Sequence, residues 1–205
     1  MINEDLLLTL GATYRKIKRG DFIFHEGAKC NYYFQLIDGK VSWLNYDEEG
    51  KIFIQSIVEK GECFGELPLF DGEPYAASAM AETDVIIIQL PKSSFLQFIK
   101  DNPDISLSFC KLFAQRMRYK FFILKEIACH TPEKKVITLL NYVKEKKNIS
   151  PNEPYKVTLT RQEIAGMTGL RVETVIRAIR HLNEQGKLSI NKGKVYLPKV
   201  TTIIK

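Results

Sequence analysis

No stretch of this chain approaches the roughly 18 consecutive apolar residues that a membrane-crossing helix needs, although apolar residues make up 45% of its 205 positions. A globular protein without a membrane span is expected. The start, Met1-Ile2-Asn3-Glu4-Asp5, carries acids where a secretory leader would place basic residues ahead of an apolar run, which points to the cytoplasm. Cysteine is scarce and scattered. Cys30, Cys63, Cys110 and Cys129 form no C-x-x-C pair, so neither a zinc knuckle nor a disulfide framework is signalled. Reduced thiols fit this pattern, and iron-sulfur ligation fits it poorly, because cluster-binding cysteines normally lie close together in sequence. Histidine is scarcer still, with only His25, His130 and His181. Neither a metal site nor a set of catalytic residues is expected from so few ligands. His25, within Phe24-His25-Glu26-Gly27, reads as a turn residue rather than a haem ligand.

Charge is present but unevenly spread. The chain carries +6 overall, yet from Tyr155 to Lys205 there are ten basic residues against Glu163, Glu173 and Glu184 alone. The remainder is close to neutral, so the polyanion-seeking part is the C-terminus. A length of 205 residues also exceeds the usual single domain, and two compact units are expected.

Residues 3 to 11 read as a short helix with Leu6, Leu7 and Leu10 available to pack. From Tyr14 to Leu90 short β-rich runs alternate with glycines spaced near 11 residues apart, the texture of successive strands and turns. Asp38-Gly39 reads as a hairpin turn between Tyr33-Phe34-Gln35-Leu36-Ile37 and Val41-Ser42-Trp43-Leu44. Runs 53–58 and 85–90 add two strands, and a double-sheet jelly roll or small barrel is the architecture that follows. Pro91 then opens a short helix with Phe95, Leu96 and Ile99 on one side. Pro103 starts a longer one, from 104 to about 128. Its apolar positions Phe109, Phe113, Met117, Phe121, Leu124 and Ala128, with Leu112 and Ile127 alongside, recur at steps of three and four. Such a stripe can pack on its own barrel or pair with a second copy; its length favours pairing. A further helix over 133–147 turns Val136, Leu139, Leu140 and Val143 inward, and Pro151 and Pro154 mark the loop that follows.

Thr160-Arg161-Gln162-Glu163 is a capping box, and Thr168-Gly169 supplies a helix stop. A second helix begins near Arg171. Val175, Ala178, Ile179 and Leu182 form its buried face, which leaves Glu173, Ile176, Arg177 and Arg180 on the other. Two short helices joined by a tight turn match helix-turn-helix geometry. Arg can bond guanine O6 and N7 together, while Glu can accept from cytosine N4. A solvated Glu173–Arg177 ion pair would explain those two residues alone. The turn, the basic charge and a following hairpin with Lys192 and Lys194 at its tip favour nucleic acid instead. That hairpin is a wing able to meet phosphates.

Two segments carry a family resemblance: Phe64-Gly65-Glu66-Leu67-Pro68-Leu69-Phe70, and Leu159 to Ala165 followed by Gly169 to Arg177. Through them the whole chain resembles the cyclic AMP receptor protein / FNR superfamily of bacterial transcription regulators. The resemblance implies an α+β chain: an N-terminal jelly-roll β-barrel over 1–100, a dimerisation helix over 101–130 and a winged helix-turn-helix over 131–205. It also implies a homodimer through Phe109, Phe113, Met117, Phe121 and Leu124, a palindromic double-stranded DNA operator, and RNA polymerase as a further partner. Glu173 and Arg177 take the base-reading role that they have in FNR-like relatives, with Ile176 and Arg171 beside them. Thr160, Arg161, Arg180, Lys192 and Lys194 are the expected phosphate contacts.

The departures bear on the effector. Gly65, Glu66 and Leu67 resemble the family's phosphate-binding cassette, but Ala77-Ser78 stand where cyclic-nucleotide binders have an Arg followed by Ser or Thr. The arginine of that pair neutralises the cyclic phosphate. Lys120 and Phe121 stand where a Thr-Ser hydroxyl pair meets the adenine. Both losses argue against cyclic AMP, while Lys120 offers a cation from another direction for some other small effector. The alternative for Glu66 and Ser78 is that they cap loop backbone in a relic cassette. The N-terminal cysteine group of the FNR branch is missing before Cys30. Arg171 stands where relatives often have a capping Ser or Thr, and Val172 where the cyclic AMP receptor protein has a base-contacting Arg, so a different operator is expected. Two other classes remain as rivals: a binding module that regulates a partner protein, and a cupin-like metalloenzyme, which the single barrel histidine disfavours.

Overall fold

The computed structural model of the chain describes residues 2–129, 131–150 and 153–198, with the side chains at 122 and 126–129 outside the description. Ile127 and Ala128 of the expected stripe, and the side chains of Cys129, His130, Lys199 and Lys205, therefore lie outside the described residues. The chain divides into two compact units, Met1–Met117 and Arg118–Lys205.

The first unit opens with α1 (Glu4–Thr9), started by the Asn3 side chain, which accepts from the Leu6 amide. Leu7 is its buried residue and Leu10 packs against the core, whereas Leu6 is 39% exposed and does not take the inward place expected of it. Eight strands follow: β1 (Thr13–Ile17), β2 (Phe22–Phe24), β3 (Tyr32–Asp38), β4 (Val41–Tyr46), β5 (Ile52–Val58), β6 (Cys63–Phe64), β7 (Ser78–Ala81) and β8 (Val85–Pro91). They form two antiparallel four-stranded sheets, in the orders β1-β8-β3-β6 and β2-β7-β4-β5. Both contribute to one core, with Tyr33, Phe34, Leu36, Ile87, Ile88 and Leu90 from the first sheet and Phe24, Val41, Trp43, Ala79 and Ala81 from the second. This is the jelly-roll arrangement expected.

The turn at Asp38-Gly39 is a correction. β3 and β4 do not pair with each other: β3 bonds β8 and β6, while β4 bonds β5 and β7. The turn passes the chain between sheets. Gly39 sits at φ +91°, and a Cβ there would lie 2.6 Å from the Asp84 carbonyl, so glycine is required for the close approach. The dipeptide specifies a reversal; the strands' partners follow from which faces are buried.

α2 (Leu67–Asp71) lies between β6 and β7, and α3 (Lys92–Asp101) follows β8. α3 buries Phe95 and Phe98 and packs Ile99 against the core, so of the face expected, Phe95, Leu96 and Ile99, only Leu96, 37% exposed, departs. α4 (Pro103–Cys129) begins in the first unit. There its Phe109 and Phe113 join Tyr33, Phe70 and Phe95 in edge-on and tilted ring contacts, for example Phe95–Phe109 at 5.4 Å and Phe70–Phe113 at 5.0 Å between centroids. Each edge-to-face pair adds about 0.5–1.5 kcal/mol beyond its area.

The second unit holds the end of α4, α5 (Pro132–Lys146), β9 (Tyr155–Lys156), α6 (Arg161–Thr168), α7 (Val172–Glu184), β10 (Ser189–Asn191) and β11 (Lys194–Leu197). Tyr119 of α4 stacks on Tyr142 of α5 at 4.4 Å, and burial raises the Tyr119 phenol above its ordinary value. Val136, Leu139 and Leu140 are buried as expected, but Val143 is only half-buried. The next residue, Lys144, is buried instead, and its ammonium donates to the Glu153 carbonyl at 2.6 Å. A lysine can lie there because its stem packs while its charge has an acceptor.

Candidate nucleic-acid interface and barrel cassette

Local chemistry builds the two DNA-side helices. The Thr160 hydroxyl accepts from the Glu163 amide at 3.1 Å, and the Glu163 carboxylate accepts from the Thr160 amide at 2.6 Å, so the expected capping box is formed. It satisfies two amides that a helix start leaves open. Gly169 closes α6 at φ +68°, and α7 starts three residues later. On α7, Val175, Ala178, Ile179 and Leu182 are no more than 1% exposed. They pack α7 against α5 and α6.

That burial presents the opposite face to solvent. Glu173, Arg177 and Arg180 are exposed and Ile176 is half-buried. Neither a hydrogen bond nor an ion pair joins Glu173 to Arg177 among the described residues, so both keep their hydrogen-bonding capacity for something else. Arg171 occupies the N-cap of α7 with extended backbone and no side-chain cap bond, leaving its guanidinium exposed. Arg161, on the first turn of α6, is half-buried, and that burial lowers its pKa. An arginine so placed stays charged.

The expected wing is present. β10 pairs with β11 through Lys192 (φ 46°) and Gly193 (φ 75°), two positive values that make a type I′ hairpin turn. Asparagine adopts the first of these positions more readily than lysine does. The turn nevertheless presents Lys192 at the tip, with Lys194 beside it, both exposed. The Asn183 side chain accepts from the Ile190 amide at 3.0 Å and ties the wing to the end of α7. β9, which begins just after the proline loop, extends this sheet by pairing with β11. Two residues long, it carries too little alternation to stand out.

In the first unit the cassette is arranged differently from expectation. Glu66 is fully buried at the start of α2. Its carboxylate is paired with the guanidinium of Arg116, from α4. The same guanidinium donates to the Cys63 carbonyl at 2.7 Å and lies over the Trp43 ring, 5.5 Å from its centroid. Burial would lower the Arg116 pKa, but the Glu66 carboxylate outweighs it and the net shift is upward. Burial pushes the neighbouring Cys63 thiol up to about 12, which keeps it protonated. The second Glu66 oxygen, Oε2, and the Trp43 Nε1 are both buried with no hydrogen-bond partner.

The other cassette residues are engaged with their own chain. The Ser78 hydroxyl accepts from the Glu26 amide at 2.9 Å, the loop-capping alternative. Ala77 is 4% exposed. Gly65, at φ +66°, backs onto Phe24, whose ring would lie 2.6 Å from a Cβ there. Phe24 in turn stacks on Tyr75 at 3.7 Å. Leu67 is 39% exposed. Lys120 and Phe121, also expected at this pocket, are exposed residues of the second unit. The cation that meets Glu66 is Arg116, which sequence reading missed. A carboxylate inside a cassette without its own arginine needs a cation, but no local pattern marks Arg116, one turn before Lys120 on the same helix, as the one that answers it.

The α4 stripe is divided. Phe109 is 6% exposed and Phe113 half-buried within their own unit, whereas Met117, Phe121 and Leu124 are 56%, 65% and 66% exposed. Phe109, expected at a dimer face, is instead taken up by its own aromatic cluster. His25 lies tilted against Phe22, with ring centroids 4.4 Å apart, and accepts from the Ala28 amide through its carbonyl, as a turn residue would. Among the described residues no group of His, Cys, Asp and Glu could hold a metal ion, and no helix is long and apolar enough to cross a membrane.

Comparison with known proteins agrees with both units. Residues 14–102 match the cyclic nucleotide-binding domain and residues 134–202 the Crp-like helix-turn-helix domain. The cAMP-activated global transcriptional regulator CRP of Salmonella typhimurium is 30% identical over 169 residues, which span 82% of this chain and 80% of that one. Among solved structures, the c-di-GMP-responsive global regulator CLP of Xanthomonas campestris superposes with a TM-score of 0.78 at 17% identity, covering 95% of this chain and 97% of its own. FixK2 of Bradyrhizobium japonicum superposes at 0.77 with 21% identity, over 91% and 92%. Regulators with this helix-turn-helix bind DNA and function as dimers. The chain belongs to the CRP/FNR family of DNA-binding transcription regulators.

Proposed function

We propose that this chain is a bacterial, cytoplasmic, non-enzymatic regulator that reads a palindromic operator as a homodimer and does not respond to cyclic AMP. The observation that carries the reading is the clean division of α7 into a buried apolar face and an exposed face bearing Glu173, Arg177 and Arg180. Glu173 and Arg177 lie one helical turn apart, so both can enter a major groove together and read adjacent bases, with Ile176 beside them for a thymine methyl and Arg171 at the helix start. Thr160, Arg161, Arg180, Lys192 and Lys194 hold phosphates and set the register. Met117, Phe121 and Leu124 pair with the same residues of a second copy. The working divisions are an effector-type barrel over 1–100, a dimerisation helix over 101–130 and a DNA-binding domain over 131–205, with RNA polymerase as a further partner.

Against cyclic AMP stand Ala77, which has no charge for a phosphate, and the Glu66 carboxylate, already paired with Arg116. Calorimetry with cyclic AMP is expected to register no binding in the low micromolar range. The DNA reading is tested by fluorescence anisotropy on an operator selected from a random duplex pool and on random duplex, across several salt concentrations. Arg177→Ala is expected to cost about 1–3 kcal/mol on the operator and far less on random DNA, since it removes a base contact. Lys192→Ala is expected to weaken both alike and to flatten the salt dependence by about one unit of slope. Equal losses on both DNAs from Arg177→Ala would make that arginine a phosphate-facing or structural residue.

A further inference from the structure

β1 and β2 are each an outermost strand of their sheets, and beside these two free edges the barrel holds a cavity of about 460 Å³, lined from both. Arg15 of β1 stands opposite Ile87, which in turn stands opposite Leu36, so the three side chains share one face of the sheet. Ile87 and Leu36 are fully buried, and Ile17, two residues further along the same face, is buried as well. Arg15 thus holds a core-facing register position and is nevertheless exposed, because the sheet ends at β1 and the cavity opens there.

Ile17, Asp21, Phe22 and His25 line the cavity with Arg15, and the Phe22 and His25 ring centroids lie 4.4 Å apart. Lys18, also in the lining, is committed to Asp84 at 2.9 Å. Among the described residues neither Arg15 nor Lys16 makes an ion pair or a side-chain hydrogen bond. Cations on an edge strand keep another sheet from adding to it, and Lys16, on the other face of β1, already serves that end. Edge protection does not call for a guanidinium on the core-facing side next to two aromatic rings.

The balance of charge selects the ligand. Residues 1–117 carry twelve lysines and arginines against seventeen acids, and four of the twelve stand at positions 15, 16, 18 and 19. An acidic unit with one basic spot repels an extended polyanion and draws a small anion to that spot. With Lys18 paired, Arg15 and Lys16 stand against Asp21, and the single positive charge in surplus suits a monoanion better than a phosphate dianion. The guanidinium fork matches the two oxygens of a carboxylate, while Ile17 and the two rings suit a planar apolar body. We propose that the seam between β1 and β2 is a binding site for a small aromatic carboxylate, with Arg15 holding the carboxylate and Phe22 and His25 meeting the ring. The cavity has the size of a small-molecule site, and it shares no residue with the cassette.

The test is proton NMR on the full chain in heavy water, with benzoate as the probe. His25, His130 and His181 are the only histidines, so the ring C2 proton of His25, assigned with His25→Ala, is read against two internal controls. At fixed pH and ionic strength, benzoate is expected to move the His25 resonance along a saturating curve and to leave the other two in place. Acetate and inorganic phosphate at the same concentrations are expected to move it far less. Arg15→Gln, at an exposed position, is expected to unfold in urea as the wild type does and to bind benzoate about tenfold more weakly, or worse. Phe22→Leu keeps the charges and removes one ring, and is expected to bring benzoate down towards acetate. A His25 resonance that benzoate leaves unmoved, or that drifts without saturation alike in the wild type and Arg15→Gln, would overturn the proposal. Acetate or phosphate binding as tightly as benzoate would overturn it too, by reducing the seam to a cluster of cations with no place for a ring.

Discussion

α4 and α7 are both amphipathic helices, but they finish differently. α7 buries Val175, Ala178, Ile179 and Leu182 within its own unit, and its exposed side chains, Glu173, Arg177 and Arg180 among them, are polar or charged, with Ile176 half-buried beside them. α4 buries only the first part of its stripe, Phe109 and Phe113, and carries the remainder, Met117, Phe121 and Leu124, into solvent. A helix with its apolar face closed can offer water only a polar surface, which suits a polyanion. A helix with apolar surface to spare needs a second apolar surface, and exposed apolar side chains in one patch mark an interaction site. Helix pattern alone does not separate these outcomes, since the 3-4 spacing is the same in both. The difference lies in how much partner surface the chain itself supplies.

The largest effect is expected where α4 is closed. Phe109→Ala would remove a buried ring from contact with Tyr33, Phe70, Phe95 and Phe113, at a cost of about 3–5 kcal/mol in urea unfolding, with the oligomeric state unchanged at low denaturant. A loss below ~1 kcal/mol would mean that this end of the stripe is as open as the other, and the contrast between the two ends would fail. A smaller effect is expected where α7's helix partner begins. Thr160→Ala removes the cap of α6 and should lower stability by about 1 kcal/mol, and, as the loss of a phosphate contact, it should weaken operator and random duplex alike.

The smallest effect tests how α7 is braced from behind. His181 Nδ1 lies 3.2 Å from the Glu133 carboxylate on α5. A backbone hydrogen bond, and then this histidine, hold the Glu133 pKa below its ordinary value. A carboxylate depressed on folding stabilises the fold above its unfolded pKa, and that contribution is lost as the pH falls through the folded value. The pair is exposed, so Glu133→Gln should cost less than ~1 kcal/mol at neutral pH. The gap to the wild type should close as the pH falls through the lowered Glu133 pKa. A gap that persists at the acid end would assign the loss to packing instead of charge.

Legibility in the sequence followed the range of each interaction. Thr160 and Glu163, Gly169 and the α7 face are set by neighbours within four residues, so capping chemistry and periodicity were enough to read them. Glu66–Arg116 joins positions 50 apart, and nothing local to Arg116 announces it; the missing arginine at Ala77 was visible, but not which α4 cation would answer the carboxylate. Asp38-Gly39 showed a reversal without showing that it passes between sheets. Lys144 was invisible for a related reason, because its acceptor is a backbone carbonyl that any sequence would present. The stripe of α4 was seen whole, and its division became apparent only with the aromatic cluster that claims one end.

That division is tested most directly by sedimentation velocity on the full chain carrying Met117→Glu and Leu124→Glu. Both residues are more than half exposed in the single chain, so neither substitution disturbs packing within a unit. The account predicts a monomer that still unfolds cooperatively in urea, with a midpoint lowered by the loss of the partner. A double variant that still sediments as a dimer would contradict it, and would place the contact between copies elsewhere on the molecule.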